Sequence, residues 1–205
     1  MKDLKNKIKL FSEKLPEYPW EDLQFYANWL AQTYYYTLQS PMILARAGAY
    51  CSNEQKKLRK RFLEHTLEET SHEILAANDL KSLGLNILNF QEFPETTSFY
   101  EVQYYKAQYR HPVSIFGWIL SLEGAAVAVG DEIFKRVKTH YGKGYTFLKV
   151  HSQEDVDHLD KALEIVGQIP TELHGDLIQD FEQSTKLYLD MLSNCQNTNF
   201  IRKVS

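Results

Sequence analysis

Glycine and proline are scarce in this chain of 205 residues, which contains nine glycines and six prolines. Sandwiches and barrels need frequent turns, which these two residue types usually supply. No segment shows the alternation of apolar and polar residues that is typical of half-buried strands. Apolar residues make up 43% of the chain, enough for long helices to bury a sizeable core. The sequence therefore predicts an all-α domain.

Turn and cap residues divide the chain into seven predicted helices. Pro41 is expected to kink or restart the second helix, and Gly84 to end the third. The predicted helices cover about residues 4–15, 20–40, 53–83, 97–110, 113–140, 145–166 and 171–192. Because no repeat or linker interrupts them, we predict one domain over 1–205, with a core at about 20–192 and a polar tail at 193–205.

Charge and cysteine content argue against several classes of protein. The net charge is −4, and the one basic cluster, at residues 56–61, is interpreted as a solvated helix face. No apolar run of about 18 residues predicts a membrane span, and no apolar stretch follows the basic N-terminus as in a secretory signal. Cys51 and Cys195 are too few for a disulfide framework. We expect a reduced, cytoplasmic protein that binds neither nucleic acid nor membrane.

The most informative segment is H-S-Q-E-D-V-D-H at residues 151–158. A helix turns by about 100° per residue, so His151, Asp155 and His158 lie within about 60° of one another on one face. Leu148 and Ala162 share this face and indicate that it points inward. Imidazole and carboxylate groups are good ligands for iron, manganese or zinc. A buried aspartate needs a cation or a hydrogen-bonded partner, so the segment predicts either a metal site or two core histidines linked to one aspartate.

A second candidate lies in L-E-H-T-L-E-E-T-S-H at residues 63–72. Glu69 and His72 form an E-x-x-H pair, the spacing used by metal sites in helical bundles. His65 lies about 40° from Glu69 on the same side of the predicted helix. E-x-x-H occurs often by chance, so the pair gains weight only together with other ligands. The neighbouring acids are expected to face solvent: Glu64, Glu68 and Glu73.

Glu123 is the third candidate, because it is the only charged residue between His111 and Asp131. A carboxylate on so apolar a helix is hard to explain as a surface residue. It predicts either a metal ligand or a buried glutamic acid that stays protonated, with a raised pKa. The glycines and alanines around it would let a bulky group approach the backbone.

Together these segments offer three carboxylates and three imidazoles, a set that suits two metal ions. The six candidate ligands are Glu69, His72, Glu123, His151, Asp155 and His158. A ferritin-like site would need two E-x-x-H motifs, and the chain contains one, which disfavours the ferritin fold.

The order of these motifs resembles that of the haem-oxygenase-like diiron oxidases and oxygenases. The likeness covers about residues 20–192 and rests on E-x-x-H, then a single Glu on an apolar helix, then H-x-x-x-D-x-x-H. Three further segments resemble the iron-containing redox-enzyme branch of that family: residues 29–34, 68–84 and 147–151. The resemblance implies a seven-helix haem-oxygenase-like bundle, two non-haem iron ions and dioxygen as co-substrate.

The resemblance also implies roles for the ligands. Glu69, His72 and His151 would surround one iron, and Glu69 would be able to bridge to the other. The second iron would be surrounded by Glu123, Asp155 and His158. Some members carry a further carboxylate seven residues before the first ligand histidine, where this chain has His65. His65 is therefore a candidate ligand, outer-sphere donor or cavity residue.

Family members act on small carboxylic or amino acids by alkene-forming decarboxylation, N-oxygenation or carbon–carbon cleavage. We expect such a small-molecule substrate here, with an external electron donor where the reaction needs one. Arg46 could hold the substrate carboxylate by a bidentate contact, or pair with a buried acid. The tyrosines are interpreted as core or rim residues. The sequence leaves the oligomeric state open, a homodimer included.

Other functions remain compatible with the same fold. Metal-free relatives include a thiaminase-type hydrolase, which needs a cysteine nucleophile, and a quinone-cofactor synthase. Cys51 lacks an activating partner nearby in sequence, so an inert buried thiol is the simpler interpretation. Haem would use one proximal histidine and leave the remaining ligand set unexplained. Iron storage, or an interaction protein with a vestigial site, is the non-enzymatic alternative.

Overall fold

The computed structural model describes residues 2–199, apart from the side chains of Lys2 and of residues 154–157. Within these residues the chain forms helices and no strands, so the predicted all-α class is confirmed. The α-helices are α1 (Lys2–Ser12), α2 (Leu23–Tyr50), α3 (Lys56–Glu68), α4 (His72–Ser82), α5 (Pro94–Tyr109), α6 (Phe116–Tyr141), α7 (Thr146–Gln168) and α8 (His174–Asn197). Short 3-10 turns cover Leu15–Glu17, Ile87–Asn89, Pro112–Ile115 and Thr171–Leu173.

The described chain has eight α-helices instead of the predicted seven, because the helix predicted at 53–83 is broken. The α3 helix ends at Glu68, and α4 begins at His72. Between them Ser71 has a φ of 74°, in the left-handed region that a non-glycine residue rarely adopts. No glycine or proline marks this break, so the local sequence does not predict it.

Pro41 does not restart α2, contrary to that part of the prediction. The helix continues from Leu23 to Tyr50, although Pro41 cannot donate a backbone hydrogen bond. Residues on both sides of it, including Ser40, Ile43 and Leu44, are buried in the core. Packing of one long helix thus outweighs the local cost of the proline.

The core extends beyond the predicted limits of 20–192. Leu4, Ile8 and Phe11 of α1 are buried, and α8 continues to Asn197. Cys195, predicted to lie in a polar tail, is fully buried. Asn28 of α2 donates to the carbonyl oxygen of Cys195 over 2.9 Å, which ties the end of α8 to the core.

The α6 helix packs against α1, α7 and α8. The stretch Pro112–Tyr141 is long and apolar enough to cross a bilayer by length and composition alone. However, 72% of its most apolar window is buried inside the fold, as in a core helix. This position carries Glu123 into the centre of the molecule.

A buried carboxylate determines where α7 begins. Asp79 of α4 accepts hydrogen bonds from the backbone N–H groups of Thr146 and Phe147, at 2.9 and 2.8 Å. It therefore caps the N-terminus of a helix distant in sequence. His151 lies on the next turn of α7, so this contact sets its position relative to His72 on α4.

Candidate metal centre

Four helices bring the predicted ligands to one place in the core. The α3 helix carries His65, the junction after it carries Glu69, and α4 begins with His72. Glu123 approaches from α6, and His151 and His158 from α7. The break after Glu68 separates the E-x-x-H pair, so Glu69 and His72 reach the site from a junction and a new helix.

One group of donors consists of Glu69, His72 and His151, whose donor atoms all lie within 4.8 Å of one another. Oε2 of Glu69 is 3.3 Å from Nδ1 of His72, and the two imidazole ring centres are 4.9 Å apart. Nδ1 of His151 donates to the carbonyl oxygen of Phe147 over 2.9 Å. Nε2 of His151 is therefore the nitrogen that can bind a metal.

The second group consists of His65, Glu123 and His158, and donor nitrogens of His65 and His158 also lie within 4.8 Å of an oxygen of Glu68. Nε2 of His65 lies 3.0 Å from Oε1 of Glu123, and the rings of His65 and His158 are 5.4 Å apart. His65, Glu123 and His158 are each at least 94% buried as whole residues. The predicted ligand Asp155 belongs to α7, but its side chain lies outside the described residues. His65 lies beside Glu123 and His158, two of the ligands predicted for the second iron.

Glu69 joins the two groups. Its Oε2 faces His72, and its Oε1 lies 3.3 Å from Nε2 of His65 and 3.9 Å from Nδ1 of His158. A carboxylate that places one oxygen in each group has the arrangement of a bridging ligand. This geometry fits two cations bound side by side.

The charges of the buried site are coupled. Burial alone would lower the pKa of His65, but Glu123 and Glu69 raise it to about 9. Burial alone would raise the pKa of Glu69, but hydrogen bonds from His65 and His72 hold it well below its usual value. The buried Glu69 carboxylate therefore remains anionic and needs nearby cations. Imidazole and carboxylate donors at these distances fit divalent transition metals, iron included.

A cavity of about 110 Å³ opens directly beside these residues. His65, Glu69, Glu123 and His151 line one part of its wall. Much of the remaining wall is apolar or aromatic: Leu15, Trp20, Trp29, Leu44, Trp118, Ile119, Leu122, Val129, Ile133, Phe147 and Leu148. The site thus combines a charged end with a mostly apolar chamber, as in many small-molecule sites.

Two tyrosines also line the cavity, and sequence reasoning did not select them. Tyr36 is one of three consecutive tyrosines, and Tyr188 lies on α8, far from every metal motif. Trp29 donates from its indole nitrogen to the Tyr188 hydroxyl over 3.0 Å. Burial raises the pKa of Tyr188 to about 12, so its phenol stays protonated. Only the packing of α8 against α2 reveals this pair.

One predicted placement is wrong: Glu68, expected to face solvent, is only 25% exposed and forms ion pairs with Arg61, His158 and Lys161. The intervening α7 side chains explain this difference, since they cover Glu68. Arg46, a candidate substrate clamp, is exposed on α2, bonds to Gln108 over 2.8 Å and is not among the described residues that line the cavity.

Several solved structures are similar to this chain. A domain of unknown function with a haem-oxygenase-like fold from Shewanella denitrificans has a TM-score of 0.85 and 20% identity, covering 96% of this chain and 91% of its own. A TenA homologue from Pseudomonas syringae pv. tomato has a TM-score of 0.71 and 14% identity, covering 96% and 92%. A TenA homologue from Pyrococcus furiosus has a TM-score of 0.74 and 14% identity, covering 95% and 98%. At such low identities these likenesses establish the haem-oxygenase-like fold alone.

Sequence comparison adds the family. No curated protein matches the chain significantly. A family profile described as iron-containing redox enzyme matches residues 27–190, which include every candidate ligand. The chain therefore belongs to the family of iron-containing redox enzymes.

Proposed function

We propose that the protein is a non-haem diiron oxidase or oxygenase that uses dioxygen on a small carboxylic or amino acid. The observation that carries this proposal is the position of Glu69, with one oxygen in each of two adjacent donor groups beside a cavity. A single-metal site would leave one buried group of imidazoles and carboxylates without a cation.

When bound, two ferrous ions would supply electrons for the reduction of dioxygen and an oxidant beside the cavity. The chain's own residues hold and shield that position. Glu69, Glu123 and the four imidazoles of His65, His72, His151 and His158 would hold the ions, and the Phe147 carbonyl oxygen fixes the ring of His151. The apolar walls exclude bulk water, which strengthens electrostatic interactions within the site.

The cavity lining favours a substrate with an apolar body and an acidic end. No lysine or arginine occurs among the described residues that line it, so the bound cations themselves are the positive charge nearest to the chamber. Hydroxyl groups of Thr37, Ser40 and Ser121 lie in the same wall. Each donates to a carbonyl oxygen of its own helix and keeps lone pairs that can accept from the polar end of a ligand. Electrons that the substrate does not supply would come from an external donor.

The thiaminase-type alternative receives no support from the cavity. Neither cysteine is among the described residues that line it. Both Cys51 and Cys195 are buried, and burial raises the pKa of the Cys51 thiol to about 11, which disfavours a reactive thiolate.

Iron loading tests the metal part of the proposal. Anaerobic titration with ferrous iron should saturate at about two ions per chain, because the site offers two donor groups of at least three residues. Metal analysis and Mössbauer spectroscopy measure this stoichiometry. Saturation at one ion, or selective retention of zinc without activity under iron, would contradict the diiron proposal.

Oxygen kinetics test the substrate part. In the iron-loaded protein, an acid that is a substrate should accelerate the consumption of dioxygen. It should also accelerate the optical transients that follow oxygen addition, because its anionic end complements the bound cations. A panel of carboxylic and amino acids of increasing apolar length provides the candidates, and the matching apolar alcohols serve as controls. If no acid alters the oxygen reaction, the proposed substrate class is wrong.

A further inference from the structure

Glu68 adjoins the candidate ligands: one of its oxygens lies within 4.8 Å of donor nitrogens of His65 and His158. Its Oε2 is 3.5 Å from Nε2 of His158, the ring nitrogen that points away from Glu69. The opposite nitrogen, Nδ1, is the one that lies 3.9 Å from Oε1 of Glu69. His158 is therefore held between two carboxylates, one on each side of its ring.

Two cations hold Glu68 in this position. Oε2 accepts from Nη1 of Arg61 over 2.6 Å, and Oε1 accepts from Nζ of Lys161 over 3.2 Å. Arg61 is 5% exposed, so its guanidinium depends on this carboxylate for its charge partner. Both oxygens of Glu68 are thus already paired with cations, which disfavours direct binding of a metal cation by the same oxygens.

We propose that Glu68 is a positioning residue of the metal centre, an inference that rests on the proposed diiron function. Glu68 accepts the Nε2–H of His158 and thereby leaves Nδ1 as the metal-binding nitrogen. Arg61 and Lys161 hold the carboxylate away from the metal. Hydrogen-bonded partners of this kind set the tautomer and the orientation of ligand histidines.

His151 provides a parallel within the same helix. Its Nδ1 donates to the Phe147 carbonyl oxygen, which leaves Nε2 for the metal. Each of the two α7 histidines therefore has an oxygen beside one ring nitrogen, for His158 the Glu68 oxygen at 3.5 Å from Nε2, and has its other nitrogen nearer the cluster. The partner of His158 is the charged carboxylate of Glu68. A carboxylate acceptor on Nε2 makes the opposite, metal-binding Nδ1 more basic than a carbonyl acceptor would.

Glu68→Gln tests this role, because it keeps the shape of the side chain and removes its charge. We expect ferrous affinity at one of the two sites to fall by about ten- to a hundredfold. One of the two ferrous Mössbauer signals should also change, while two ions still bind at saturating iron. Glu64→Gln is the matched control, since Glu64 is on the same helix, is half exposed and pairs only with Lys60 among the described residues. It should alter neither measurement.

The double variant Arg61→Met/Glu68→Gln separates positioning from charge balance, because it leaves no buried guanidinium without a partner. Thermal unfolding checks that each variant is folded. If the double variant regains parental iron affinity, Glu68 serves only to neutralise Arg61, and the positioning role is wrong. Saturation of Glu68→Gln at one ion would instead make Glu68 a ligand and also overturn it. If the parent protein binds two ferrous ions and Glu68→Gln binds them with unchanged affinity, only the positioning role of Glu68 is wrong. If the parent protein binds fewer than two ions, the diiron proposal is wrong as well.

Discussion

Glu69→Ala is expected to lose at least one of the two irons of the proposed centre and nearly all of its proposed dioxygen-dependent activity. The reason is the reach of this one carboxylate, whose oxygens lie within 3.9 Å of nitrogens of His65, His72 and His158. Alanine removes the carboxylate that places one oxygen beside each donor group. Iron analysis after anaerobic loading, together with oxygen-electrode assays, would measure both losses.

Glu64→Ala provides the comparison for this change. Glu64 lies five residues earlier on the same helix, and its side chain is 51% exposed. We expect a change in stability of at most about 0.5 kcal/mol and full iron occupancy. Glu68 cannot serve as this control, since Arg61 and Lys161 depend on it. If Glu69→Ala kept both irons, the bridging assignment would be wrong.

The local sequence predicts much of the candidate site because most of its candidate ligands lie on helices whose periodicity is clear. Glu123 illustrates this: a single charge on an apolar helix predicts burial, and the residue is 5% exposed. The spacing of His151 and His158 likewise predicts a shared face, and both contribute to the described cluster. Helical rotation alone is enough for such residues.

The junction between α3 and α4 shows where that reasoning stops. An ideal helix through residues 65–76 places His65, Glu69 and His72 along one line, but the chain turns at Ser71. Serine has no strong preference for a positive φ, so the local sequence does not predict the turn at Ser71. Packing of α4 against α2 and α7 maintains the turn. Backbone strain of this kind tends to occur at functional sites.

Contacts between distant helices account for the remaining differences. Glu68 appears solvent-facing on α3 alone, and it is covered because Lys161 and His158 arrive from α7. Tyr188 has no metal motif near it in sequence and reaches the cavity only because α8 crosses α2. These positions depend on tertiary packing, which periodicity within one helix does not contain.

Gly117→Ala is expected to destabilise the fold by about 3 kcal/mol or more. A Cβ atom at this position would lie 2.3 Å from the backbone nitrogen of Phe181 and 2.4 Å from the carbonyl oxygen of Leu177. Backbone cannot rotate aside as a side chain can, so α6 and α8 would have to separate. That separation would also stretch the 2.7 Å hydrogen bond from the Trp118 backbone N–H to the buried carboxylate of Asp180.

Two other glycines of the same helix make this prediction specific. At Gly124 the nearest atom is Cγ2 of Ile8, at 2.6 Å, and this side chain can change its rotamer, so Gly124→Ala should cost less than Gly117→Ala. At Gly130 the nearest atom is Cβ of Ser152 at 3.4 Å, an ordinary contact. Gly130→Ala should therefore be neutral or gain up to about 1 kcal/mol from helix propensity.

Chemical denaturation of the three metal-free variants gives the order of their stabilities. Equal stability of Gly117→Ala and Gly130→Ala would refute the close approach of α6 to α8, and with it the packing that holds Glu123 at the metal centre.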